Sequence, residues 1–171
     1  MDAYIITLRI LHILGGVFWV GSALLFFFFI EPTIRATGPS GGQVMGHLVG
    51  KRKMPIVITI SATITILAGV LLYWERSNGF DPDWIGTGPG IAFTVGGVAA
   101  ILAWAAGLIV VAPSVKRMGA LGGAVQAAGG PPSEEQAAEL HRLDARLKRV
   151  GVADTVLLIL AVLTMAVARY L

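Results

Sequence analysis

The chain has no cysteine and little charge. The missing cysteines exclude disulfides, thiolate metal ligands and thiol nucleophiles. Charged residues make up 13% of the chain against 56% hydrophobic residues, where soluble domains carry about 25% charged residues. The charges are also segregated. Residues 10–30, 54–74 and 84–115 contain none, and 151–171 holds only Asp154 and Arg169 near its ends. A helix needs about 20 apolar residues to cross a hydrocarbon core of about 30 Å, and all four stretches reach that length. A soluble domain of 171 residues has too little interior to hide them. The basic n-region of a signal peptide is missing as well: Met1, Asp2, Ala3 and Tyr4 open the chain, and the apolar run behind them exceeds a signal h-region. The first span is therefore expected to be retained.

What is present predicts an all-α, integral membrane fold. We expect a four-helix antiparallel bundle forming one transmembrane domain over 1–171, with spans at about 4–30, 54–74, 90–113 and 151–170 and a cytoplasmic helical extension, 114–150, before the fourth span. The net charge of +3 is explained by topology and gives no reason to invoke nucleic acid. Arg35, Lys51, Arg52 and Lys53 lie between spans one and two. Lys116, Arg117, Arg142, Arg146, Lys148 and Arg149 lie between spans three and four, and only Arg9, Arg76 and Arg169 fall on the other side. Loops rich in Lys and Arg stay cytoplasmic, which places both termini outside the bacterial inner membrane.

Local signals refine the outline. Glu31-Pro32 predicts a stop for span one, the segment from Thr37 to Gly42 a flexible turn, and the segment from Gln43 to Lys53 a lead-in helix whose basic end anchors at the membrane surface. In span two, Ser61, Thr65 and Gly69 form a small, weakly polar stripe. In span three Ala92, Gly96 and Ala100, with Ala99, Ala103 and Gly107, do the same. Such stripes mark close helix contacts. Tyr73 and Trp74 form an aromatic belt, Trp104 requires a partner for its indole N–H, and Ala112-Pro113-Ser114 ends span three. The glycine- and alanine-rich stretch 119–130 reads as loop. Ser133 then reads as an N-cap with Glu134 and Glu135 in the first turn, opening a helix whose seam of Gln136, Leu140, Leu143, Leu147 and Val150 runs into span four. Asp81 and Asp83 read as a solvated acidic loop, and Asp154 as an ion-paired or interfacial carboxylate near Lys53 and Arg117.

One ionisable residue stands inside a span away from its ends. His12 belongs to the pattern Arg9-x-x-His12 followed by Trp19-x-Gly21, and ionisable groups within a membrane are costly enough to mark functional sites. Arg9, His12, Gly16, Trp19 and Ala23 share one helical stripe. A flat ligand held by His12 would lie over Gly16 beside Trp19, with Arg9 near its anionic substituents. A b-type haem is the expected cofactor, because histidine is a common axial ligand. His47 and His141 lie at the cytoplasmic side, too far away to share its iron, so a second axial ligand would be Met165, with Arg169 joining Arg9 at the propionates. The competing reading makes His12 a hydrogen-bonded packing residue and the chain a non-catalytic accessory subunit, held to other membrane subunits by its small-residue faces and the 136–150 seam. Neither reading implies an enzyme. A transporter is disfavoured by the lack of inverted repeats and of paired broken helices.

The Arg9, His12, Trp19 and Gly21 pattern, with the four-span layout, resembles the small bacterial membrane proteins related to copper-resistance protein D and the HemJ-type protoporphyrinogen oxidases. The resemblance implies haem or metal handling at His12. The HemJ pattern carries a lysine in its third span, where this chain has no charge, so what carries over is haem binding at His12 without porphyrinogen oxidation. Copper is disfavoured because no Met or His cluster accompanies the histidine.

Overall fold

A computed structural model describes residues 3–171; Met1 and Asp2, which begin the expected N-terminal segment, lie outside the described residues. The described chain is helical, without strands. Helix α1 (Ala3–Leu25) passes through a π turn (Phe26–Ile30) into α2 (Glu31–Ala36). Helix α3 (Pro39–Gly46) ends in a second π turn (His47–Lys51), and α4 (Met54–Arg76) follows. A short α5 (Pro82–Ile85) leads to α6 (Gly88–Ala106), which continues through a third π turn (Gly107–Val111) into α7 (Ala112–Ala128). Helix α8 (Glu134–Val167) closes the chain with a 3-10 turn (Ala168–Tyr170). Four continuous helical stretches, Ala3–Ala36, Met54–Arg76, Gly88–Ala128 and Glu134–Tyr170, are long and apolar enough to cross a membrane.

Three expected breaks are absent. Span one does not stop at Glu31-Pro32, nor span three at Ala112-Pro113-Ser114; each helix runs on for several residues. Proline lacks the N–H of an internal helical residue, and its ring presses on the carbonyl one turn back. Both Pro32 and Pro113 stand two residues beyond a π turn, and the wider turn gives the ring room without ending the helix. The stretch 119–130, expected as loop, is helical as far as Ala128. Its glycines cost helix stability, but the segment gains packing: Leu121 of α7 and Leu143 of α8 are both buried, and Arg117 holds Glu139 through Nε and Nη2 at 2.8 and 3.0 Å. The expected turn 37–42 is likewise shortened, since α3 begins at Pro39.

Other signals hold. Ser133 caps α8 in a reciprocal arrangement: its hydroxyl accepts from the Gln136 N–H, and the Gln136 side chain accepts from the Ser133 N–H. The α8 seam packs on α7, and Arg35 of α2 grips Asp144 of α8 at 2.7 and 3.0 Å while also pairing with Glu31.

Within the apolar region, α1 packs along α4, and α6 along α8. The two pairs meet at a layer built from Trp19, Ala62, Ala103 and Leu158, one residue from each helix. Two side-chain hydrogen bonds also tie α4 to α6: Trp104 Nε1 donates to Thr63 Oγ1 at 3.0 Å, which satisfies the indole, and Tyr73 Oη lies 2.6 Å from Thr94 Oγ1. Tyr73 and Trp74 pack with Phe80 and Trp84 at the end of α4. This aromatic end and the opposite, basic end bracket the apolar region.

Candidate functional site

His12 lies on the face of α1 that meets α4. Seven residues separate it from Trp19, two helical turns or about 10 Å towards the aromatic end. The ring rests on Gly69: a Cβ at that glycine would stand 2.8 Å from His12 Cε1 and 2.9 Å from Nδ1, so any larger residue would displace the imidazole. His12 Nδ1 lies 2.9 Å from the Thr65 carbonyl oxygen. A carbonyl only accepts, so Nδ1 carries the proton, and the neutral tautomer compatible with this bond has its lone pair on Nε2.

The same seam is drawn together by small polar groups. Ser61 Oγ donates to the Gly15 carbonyl at 2.9 Å. A Cβ at Gly15 would stand 2.6 Å from Thr65 Oγ1, and one at Gly16 would stand 3.5 Å from Thr65 Cγ2. Gly15 and Gly16 therefore bring α1 down onto Thr65, and this close approach lets the His12 ring reach the Thr65 backbone. Thr65 and Gly69 are the site residues that reading along one helix did not identify. Their signal was the Ser61, Thr65, Gly69 stripe, which answers the small residues of α1.

The remaining candidates are distributed around this point. Trp19 is buried in the layer shared by the four long helices. Met165 of α8 faces α6, where a Cβ at Gly96 would lie 2.9 Å from its Cγ. Met165 lies two turns from Leu158 as His12 lies two turns from Trp19, which puts the two at one depth on different helices, His12 seated on α4 and Met165 on α6. Arg9 is exposed and borders an apolar groove with Ile6, Ile10, Ile13 and Leu14. Arg169 is also exposed and lies over the Tyr170 ring, 4.9 Å from its centre. Counted from the Trp19 and Leu158 layer, Arg9 lies about 15 Å and Arg169 about 16 Å towards the aromatic end.

Asp154 departs from expectation. The ion pairs at the basic end join Arg35 to Glu31 and Asp144, and Arg117 to Glu139. Among the described residues none reaches Asp154, which is half-buried on α8. Arg117, one of its two expected partners, is turned towards Glu139. Asp81 accepts from the Asp83 N–H at 3.0 Å and so caps α5. No group of three or more His, Asp or Glu side chains converges among the described residues. Comparison of the chain with protein families, curated proteins and solved structures returned no match.

Proposed function

We propose that the chain is a bacterial inner-membrane protein, a four-helix antiparallel bundle with both termini outside, that binds a b-type haem through His12. The observation that carries this reading is the state of the imidazole. Its Nδ1–H is held by a backbone carbonyl and its ring rests on Gly69, which leaves Nε2 as the nitrogen that would bind iron. Metal-ligating histidines are usually oriented by such a hydrogen bond on the other ring nitrogen. The roles of the other residues follow from depth. Arg9 and Arg169, about one turn further out than His12 and Met165, suit the propionates. Gly16 and Trp19, expected to line the ligand, are instead taken up by helix packing, against Thr65 and against Ala62, Ala103 and Leu158; Met165, at the depth of His12, would offer the second ligand atom. When bound, the haem supplies one-electron chemistry; the chain's residues fix the ligand nitrogen, close the site from the opposite leaflet and balance the carboxylates.

A second reading has one observation in its favour. The most apolar stretch of the first helix is only 6% buried, against 22% in the third, so its outward face is covered by lipid or by another subunit. On this reading the protein is an accessory subunit that docks through α1.

Visible spectra of the detergent-purified protein, oxidised and dithionite-reduced, with haem offered during purification, test the proposal. A Soret band with sharp reduced α and β bands, absent in His12→Ala, is expected. A protein that stays colourless, or a His12→Ala variant with an unchanged spectrum, contradicts it.

A further inference from the structure

At the basic end, acids and bases do not balance. Glu31 and Asp144 are bound to Arg35, and Glu139 to Arg117. Arg52, Lys53, Lys116, Arg146, Lys148 and Arg149 are all exposed, and none of the ion pairs among the described residues includes them. Of the remaining acids of α8, Glu134 and Glu135 open the helix at its far tip, three turns or more from Arg146, and Asp154 is half-buried, five residues from Arg149 on the apolar side.

The depth of these cations follows from packing. Ala62 of α4 meets Leu158 of α8 in one cluster, and Ile66 meets Ala161 in the next, so the two helices advance in the same sense. Lys53 and Arg149 each lie nine residues from that layer, at one level, about 13 Å towards the basic end. Arg52, Lys148, Arg146 and Lys116 follow within about 7 Å beyond them. In the other direction Arg169 lies about 16 Å from the layer. The distance from Arg149 to Arg169 is therefore about 30 Å, the thickness of a hydrocarbon core. These cations would stand at one edge of a core of that thickness, and they come from the turn before α4, from α7 and from α8.

We propose that these residues form a binding ring for the headgroups of anionic phospholipids, with the phosphodiester as the recognised group. Arginine offers it paired N–H donors and lysine a point charge. The level of the ring, flush with the apolar surface and not on the projecting α7 and α8 tips, fits a lipid ligand better than a soluble one. Each basic residue at a membrane surface raises affinity for anionic lipid by about fivefold.

Native mass spectrometry of the full chain, released from discs of equimolar phosphatidylcholine and phosphatidylglycerol, tests the ring. The expected result is preferential retention of phosphatidylglycerol. Combined Arg146→Gln, Lys148→Gln and Arg149→Gln substitution should weaken that preference by about fivefold per residue. Lys148→Arg with Arg149→Lys, which keeps the charge, should preserve it, as should Arg76→Gln at the opposite end. Equal retention of the two lipids overturns the proposal. So does a loss of preference as large in Arg76→Gln as in the triple variant. Competition by inorganic phosphate that removes the preference would assign the ring to a soluble anion and overturn it too.

Discussion

The seam between α1 and α4 and the seam between α6 and α8 meet the same packing demand with different chemistry. In the α6/α8 seam, Ala92, Gly96, Ala99, Ala100 and Ala103 are buried on one helix and Leu158 and Ala161 on the other. The nearest hydroxyl, that of Thr164, bonds to its own helix. In the α1/α4 seam the small residues are accompanied by an imidazole and a serine whose hydrogen bonds cross between the helices. Helices in lipid associate through close packing, and a polar bond between them adds on the order of 0.6 kcal/mol on average. The α6/α8 seam therefore shows that this chain can join two spans with no ionisable group. The histidine in the other seam is more than packing requires, and that surplus is the reason to assign it a ligand.

Gly69→Ala should have the largest effect on the contrast. The added methyl would overlap His12 Cε1 and Nδ1, break the bond to Thr65 and turn the ring. We expect loss or displacement of the haem spectrum together with about 1–3 kcal/mol of destabilisation, read from visible spectra and unfolding of the same sample. Gly96→Ala is the matched change in the other seam. A Cβ there would meet Thr164 Oγ1 at 2.6 Å and Met165 Cγ at 2.9 Å, at a similar cost in stability. These contacts all fall on α8 and leave the His12 ring untouched, so the haem should remain bound through His12 and any spectral change should be confined to bands sensitive to the second ligand. Equal loss of haem in both variants would remove the distinction between the seams.

Smaller effects test the framework. Ser133→Ala removes half of the reciprocal cap on α8 and should cost about 1 kcal/mol, seen as a lower melting temperature with the spectrum unchanged. Thr63→Val deprives the Trp104 indole of its acceptor and should cost on the order of 0.6 kcal/mol, accompanied by a shift in tryptophan fluorescence. If Thr63→Val also altered the haem bands, the hydrogen bond between α4 and α6 would belong to the site.

The apolar runs were legible because lipid imposes a length and a composition that ordinary helices need not meet. The stripes were legible because periodicity records which face is small, and the Ser133 cap because it depends on local spacing. The breaks at Pro32 and Pro113 were misread because a π turn a few residues earlier accommodates the proline, and nothing in the local spelling of 26–30 or 107–111 announces it. The helical course of 119–128 goes with the packing of α7 on α8, where Leu121 and Leu143 are buried, and that packing is set by tertiary structure. His12 itself is evident in the sequence, but its acceptor is not. A backbone carbonyl has no side-chain signature, and only the opposed small stripes of α1 and α4 hinted that Thr65 would come within reach. The isolation of Asp154 was hidden for a related reason: proximity in depth to Lys53 and Arg117 does not decide which acid an arginine turns towards.

The central claim is that His12 is kept for a ligand and not for the seam. Removing its ring deletes one bond to the Thr65 carbonyl, an oxygen that the helix already serves through the Gly69 N–H. The most direct measurement is the unfolding temperature of wild type and His12→Ala in the same detergent, each with and without added haem. The account predicts that the two haem-free proteins melt within a few degrees of each other, and that haem raises the wild type alone, by the linkage expected of a ligand that binds only the folded state. A His12→Ala variant that melts far below wild type, with haem stabilising neither protein, would make His12 a packing residue and contradict the account.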